Sequence, residues 1–318
     1  LAELLSFTRA AVQQLSTSLD EPPWMLDMRL RAWEVYASTP VPTTQDEAWR
    51  RTDIRRLKLD TLGPSLNGKI AGGAAIPAYL GEQLTDDAAG GVLVEVNGIV
   101  NSFELSDELR AQGVIFCDMH TAVREHGDLV RQHFMTHAVR VEDGKFAALH
   151  GAFWRGGVFL YVPRNVVAAA PLHSALWATS GRTFTHTLVV LDTSAEATFI
   201  DEYASPPGEG QALHNGAIEL LVGDGASLRY ASLQDFGANV WQFNHECGRV
   251  GRDGKLDWIT SVMGTRLTKA FQTTELDGPG GWARMSGIFF TNGRQHVDLD
   301  TEQNHNAPDT TSDLLYKG

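Results

Sequence analysis

Apolar positions open the chain at helical spacing. Leu1, Leu4, Leu5, Val12, Leu15 and Leu19 recur with a period near 3.6, which predicts an amphipathic helix. In DEPPWMLDMRLRAWEVYASTP, Asp20 offers a cap, the prolines suit a first turn and Pro40 a stop, so a second helix follows. Its Trp24, Trp33 and Tyr36 are anchors expected to bury against another surface. PVPTTQDEAWRRTDIRRLKLD predicts a linker and then a short helix, with Asp46 and Glu47 in the first turn and arginines later, as the helix dipole favours. From 61 to about 90 the composition turns Gly/Ala-rich and weakly periodic, which predicts loop.

The period changes at Gly91. VLVEVNGIV carries an Asn97-Gly98 hairpin signal, and GVIFCDM predicts a buried strand leading into one helix, HTAVREHGDLVRQHF. After Val139 helical periodicity disappears. Polar or Gly turns then open short strands in DTSAEATFIDEY, GDGASLRYASL, RDGKLDWITSV and GPGGWARMSGIFF, with a second apolar run between successive turns. The turns recur at roughly 30 residues, a period that means solenoids. One such unit holds too few apolar side chains to close a core and must lie on its neighbours. The predicted fold is mainly β: a β-helix of stacked strands over 139–318, preceded by a helical N-terminal region (1–90) and a small α/β segment (91–138). A two-sheet sandwich of short strands is the competing arrangement.

Composition narrows the function. The 318 residues, 43% hydrophobic, can bury a real core, and the formal net charge of −13 repels phosphate backbones and anionic headgroups, so neither nucleic acid nor membrane is an expected partner. No stretch approaches the roughly 18 apolar residues of a membrane helix, and Glu3 and Arg9 interrupt any signal core, which predicts a cytoplasmic protein. Cys117 and Cys247 form no CxxC pair, so neither a disulfide framework nor a thiolate zinc cage is encoded. The first residue is Leu, and residues before it are expected to be missing.

Few segments carry candidate chemistry. GPSLNGKI, residues 63–70, has phosphate-loop spacing, but Ile70 stands where a hydroxyl should hold magnesium, so a plain loop is expected. Cys117 and His120 in CDMH have ligand spacing but no second pair, so a buried thiol beside a surface histidine is expected. In NHEC a strand would put His245 and Cys247 on one face and Glu246 on the other, giving at most two ligands. In QHVDLDTE a strand puts His296, Asp298, Asp300 and Glu302 on one face and Val297 and Leu299 on the other. Those acids could hold calcium with Arg294 as a base, the arrangement of a polysaccharide lyase; a solvated face accounts for the same alternation. His305 lies in a turn-rich segment. His296, Asp298 and His305 are the weak metal candidates; no catalytic or cofactor-binding residue is assigned. A third possibility is a homo-oligomeric interaction module, because a solenoid that stops mid-stack exposes strand edges.

Several long segments resemble one known family in order. AWRRTDIRRLKLD, with Arg51 where a tyrosine is usual, HTLVVLDTSAEATFIDEYAS, NGAIELLVGDGASLRYASLQDFGANVWQF, VGRDGKLDW and GRQHVDLDTEQNHNAPDTTSDLLYKG are similar to the SufB/SufD family of the SUF iron-sulfur cluster assembly system. DLLYKG leans to the SufD branch. The resemblance runs from about Trp49 to Gly318 and implies a non-enzymatic β-helix scaffold that acts in the cytoplasm with a SufB-like protein and a SufC-like ATPase, or as a homodimer. It implies no cofactor in this chain and an iron-sulfur cluster held transiently by the complex. The family continues past YKG with further rungs and a helical tail that docks the ATPase. The chain is therefore expected to be truncated, without the late cluster-linked histidine.

Overall fold

The computed structural model describes residues 7–63, 76–77, 80 and 89–318. Beyond Gly63, the phosphate-loop spacing at 63–70 falls outside the described residues, as does most of the loop predicted over 61–90. Two helices open the chain, α1 (Arg9–Ser18) and α2 (Pro23–Ser38). The Thr8 hydroxyl accepts from Ala11 N at 3.2 Å, and α1 buries Ala11, Val12 and Leu15. The predicted Asp20 cap is not used: Asp20 has φ 52°, Pro22 holds the N-cap of α2, and Pro23 fills its first position.

The short helix expected after residue 45 is absent. Only single 3-10 turns form, at Glu47–Trp49 and Leu59–Thr61. Tertiary contacts override the local pattern: the Trp49 ring lies 5.5–5.9 Å from Phe146, Phe243 and Phe271, and the Thr52 hydroxyl meets His296 at 3.2 Å, which draws the segment out along a sheet.

The Asn97-Gly98 hairpin forms as predicted between β1 (Gly91–Val96) and β2 (Ile99–Leu105). Asn97 (φ 56°) and Gly98 (φ 77°) both take left-handed backbone, the type I′ turn whose twist matches paired strands. A Cβ on Gly98 would stand 2.3 Å from the Arg155 carbonyl, so glycine is needed for space as well. After α3 (Asp107–Ala111) comes β3 (Ile115–Asp118), and the single helix expected next is two, α4 (Met119–Glu125) and α5 (Gly127–His133). The break falls at His126 (φ −126°, ψ 31°), before Gly127, whose helix propensity is poor. A further helix, α6 (Lys145–Phe153), lies in the stretch where no helix was expected. Every residue of it after Lys145 is buried, so it has no polar face and no 3.6-residue alternation to read.

From Gly157 the chain coils. One sheet has the order β16-β14-β12-β10-β8-β5-β1-β2 and the other β15-β13-β11-β9-β7-β4-β3, so from β7 on successive strands alternate between sheets and each pairs in parallel with the strand two places away. The first holds β5 (Leu172–Trp177), β8 (Glu196–Ala204), β10 (Ser227–Phe236), β12 (Lys255–Gly264), β14 (Trp282–Phe289) and β16 (Thr311–Lys317). The second holds β4 (Gly157–Val162), β7 (His186–Leu191), β9 (Ala212–Val222), β11 (Val240–Val250), β13 (Leu267–Leu276) and β15 (His296–His305), with short β6 (Arg182–Thr183) beside β9. The described residues make about six turns of a β-solenoid, as the 30-residue period predicts, and not a sandwich of hairpins.

Two cores result. Between the sheets lie Leu160, Val189, Phe199, Leu220, Tyr230, Leu256, Trp258 and Met285. On the outside of the second sheet, Leu188, Leu213, Trp241, Phe243 and Leu267 meet residues of α1, α2 and α6. Asp201 sits wholly buried among the inward side chains. It accepts from Ser174 (2.6 Å), Thr187 (2.7 Å), Tyr203 (2.5 Å) and Tyr230 (2.9 Å), while burial raises its pKa. Phe199, fully buried, packs 6.0 Å from Phe116 and 5.8 Å from Tyr230. Phe199→Ala is expected to cost about 3–5 kcal/mol. Thr198→Ala, on the opposite face, should stay within about 0.5 kcal/mol. Urea midpoints measure both, and equal shifts would refute the inward-outward alternation.

Candidate functional site

The acidic face foreseen in the closing run forms on β15. In register with β13, Asp298 stands opposite Lys269 and Asp300 opposite Phe271, so His296, Asp298, Asp300 and Glu302 share the outer face. The face is not an open cation site. Lys269 Nζ, on a side chain 2% exposed, lies 3.0 Å from Asp298 and 3.8 Å from Asp300, and 4.7 Å over the Phe271 ring. The Thr52 hydroxyl also donates to Asp298. An ammonium occupies the position in which the lyase reading places calcium, and that reading is corrected: the lysine lies 29 residues from Asp298 and becomes its neighbour only through the coil. Glu302 is exposed, and Arg294 is an exposed loop residue whose carbonyl accepts from Arg266. The third metal candidate, His305, is exposed and bonds the hydroxyls of Thr310 (2.7 Å) and Ser312 (2.9 Å).

The other candidates are dispersed. Cys117 is half-buried in β3, and burial with Asp118 and Glu125 nearby pushes its thiol up to about 12. His120 is not the surface histidine expected: it stacks on Trp154 at 4.9 Å, and burial lowers it to about 4. Its ring accepts from Gly156 N at 3.3 Å, which explains why a residue at a strand-to-helix junction turns inward. In β11 the alternation holds: Glu246 points between the sheets to Asn244 (2.9 Å) and Gln272 (2.8 Å), while His245 and Cys247 face outward. Among the described residues no group of three or more His, Cys, Asp or Glu could hold a metal ion.

Sequence reasoning missed a buried chain on the outer face of the second sheet. His150 Nδ1 faces the Asn215 carbonyl at 3.0 Å, His150 Nε2 meets His186 Nδ1 at 3.0 Å, and His186 Nε2 meets Glu219 at 2.9 Å. Glu219 also accepts from Met135 N (2.8 Å) and Val139 N (3.1 Å). The carbonyl at one end fixes the direction: His150 Nδ1–H donates to it, so His186 donates from Nδ1 and its Nε2 accepts a proton held by Glu219. Burial drives the same assignment, lifting Glu219 to about 8, lowering His186 to about 3 and keeping His150 well below its usual value. The three residues come from α6, β7 and β9, and no linear spacing announces them.

The family model described as SufBD protein N-terminal region matches residues 8–173, and that described as SUF system FeS cluster assembly, SufBD core domain, matches residues 176–318. The iron-sulfur cluster assembly protein SufD of Bacillus subtilis is 29% identical over 96% of this chain and 70% of that protein. SufB of the same strain is 28% identical over 98% of the chain and 68% of its own length, and a SufBD family protein of Staphylococcus epidermidis is 29% identical over the same shares. The chain belongs to the SufB/SufD family of iron-sulfur cluster assembly proteins.

Two measurements follow from these geometries. Lys269→Ala leaves Asp298, 20% exposed, without its partner and is expected to cost about 1–3 kcal/mol, with calcium not restoring the loss; calcium-dependent recovery of the melting temperature would overturn the assignment. Unfolding releases the Glu219 proton wherever the pH lies between its unfolded value of 4.5 and its folded value of about 8, so this group makes stability fall as pH rises through that window. His186 acts oppositely between about 3 and 6.5, leaving the carboxyl unopposed by it above 6.5. Glu219→Gln should flatten the decline in melting temperature between pH 6.5 and 8, and an unchanged slope would place the proton elsewhere.

Proposed function

We propose that this SufB/SufD family member is a non-enzymatic scaffold subunit that acts in the cytoplasm, in a complex with a SufB-like protein and a SufC-like ATPase. The observation that carries the reading is the match of both family regions, in order, along nearly the whole chain. The solenoid gives it physical sense. Stacked parallel rungs form a stiff body whose surface is set by geometry, and two of its acids are neutralised from within, Asp298 by Lys269 and Glu219 by its own proton. Two free thiols suit a reducing compartment, and no helix among the described residues is long and apolar enough to cross a membrane.

In this reading ATP hydrolysis belongs to the SufC-like partner, and the iron-sulfur cluster is cargo of the complex, not a resident cofactor of this chain. Co-expression of the full-length gene product with the SufB-like and SufC-like proteins of its own organism is expected to yield a stable complex on size exclusion. ATP turnover should appear only when the SufC-like subunit is present. Recovery as a monomer, or only as a self-assembled dimer, would overturn the proposal.

A further inference from the structure

Between residues 137–143 and the outer face of the second sheet lies a cavity of about 450 Å³ whose floor includes His245 and Cys247. Two positions apart on β11, they project the same way with Cβ atoms roughly 7 Å apart, and they are only 6% and 5% exposed. The imidazole lies beside the Asp143–Gly144 backbone, with Nε2 on the side of Gly144. Among the described residues Nδ1 has no partner. Leaving a buried donor or acceptor unsatisfied costs about 1–3 kcal/mol. A buried imidazole nitrogen left free in this way is available to a metal. Among the described residues the Cys247 sulfur's one hydrogen-bond partner is the Gly248 carbonyl, at 4.0 Å, and burial, with Glu275 and Glu219 nearby, keeps it a thiol in the absence of a cation.

We propose that His245 Nδ1 and Cys247 Sγ bind a soft closed-shell monovalent cation, Cu(I), in two-coordinate geometry. Since no third ligand converges among the described residues, a tetrahedral zinc site is not available, whereas a thiolate with an imidazole suits Cu(I). Binding breaks the Cys247 S–H bond, forms an S–Cu bond and releases the proton to solvent. No electron moves. The site stands apart from the scaffold reading, since its ligands come from one strand and residues 137–143 roof it.

The test is an anaerobic titration of the full-length protein with Cu(I) against a chromophoric Cu(I) chelator, together with X-ray absorption of the loaded wild type. Wild type should take up about one equivalent more than Cys247→Ser, His245→Gln should bind about tenfold or more weakly, and Cys117→Ser should match wild type. The copper shell should hold one sulfur and one nitrogen. Equal uptake by wild type and Cys247→Ser would overturn the site; should that variant fail to fold, a copper shell without nitrogen, or an undiminished shell in His245→Gln, would do the same.

Discussion

In a parallel ladder the amides and carbonyls of one strand are satisfied only by strands beside it, and here those strands lie two places away in the chain. The chain must therefore return to the same sheet at nearly constant intervals: strands of the first sheet begin at Glu196, Ser227, Lys255, Trp282 and Thr311. Register carries side chains with it, so each position meets its equivalent one turn on. Like charges at such a position would repel. Across the outer face of the first sheet the row instead reads Arg229, Asp257, Arg284, Asp313, with Asp257 bonded by both arginines at 3.1 and 2.8 Å. The same rule puts Lys269 beside Asp298, and it turns an apparent ligand face into an ion pair.

The second layer depends on the first. Once the second sheet exists, its outer face is largely apolar and must be covered, and α1, α2, α6 and Trp49 cover it. That covering carries its own polar groups into the interface, where each must find a partner. Arg29, 0% exposed, pairs with Glu21 at 2.5 Å, donates to the Ala152 carbonyl and lies 4.5 Å over Trp154. Glu219 receives the amides of Met135 and Val139 because Met135, at φ 48°, turns the chain out of helical geometry and leaves those donors facing the sheet.

What could be read in the sequence was what repeats locally. The coil was legible because each turn restates it with a polar turn and an alternating run, and the Asn97-Gly98 hairpin and the two faces of β15 follow from nearest neighbours alone. Features set by distant residues were not legible. α6 lacks a polar face because layers on both sides bury it, the 47–61 segment is stretched by Phe243, Phe271 and His296, and His120 is turned inward by Trp154. The candidate site shows the same division. His245 and Cys247 were placed on one face correctly, but Asp143, which lines the same cavity, lies about a hundred residues earlier.

Burying Asp201 has a further consequence for rigidity. Its four hydroxyl donors come from β5, β7, β8 and β10, so one carboxyl ties three neighbouring rungs of the first sheet to a strand of the second. An apolar core alone fixes which face points inward but tolerates a slip by two residues, because one aliphatic contact then replaces another at little cost. A slip by two residues at β8 would carry Asp201 about 7 Å along the sheet and leave Ser174, Thr187 and Tyr230 without their acceptor. Glu246, on β11 of the second sheet, repeats the device, held by Asn244 and Gln272, with Tyr316 bonding Gln272 at 2.7 Å. Polar groups at the centre thus lower the number of registers the stack can adopt, and a body with one register presents one outer surface, which is the property an assembly platform requires.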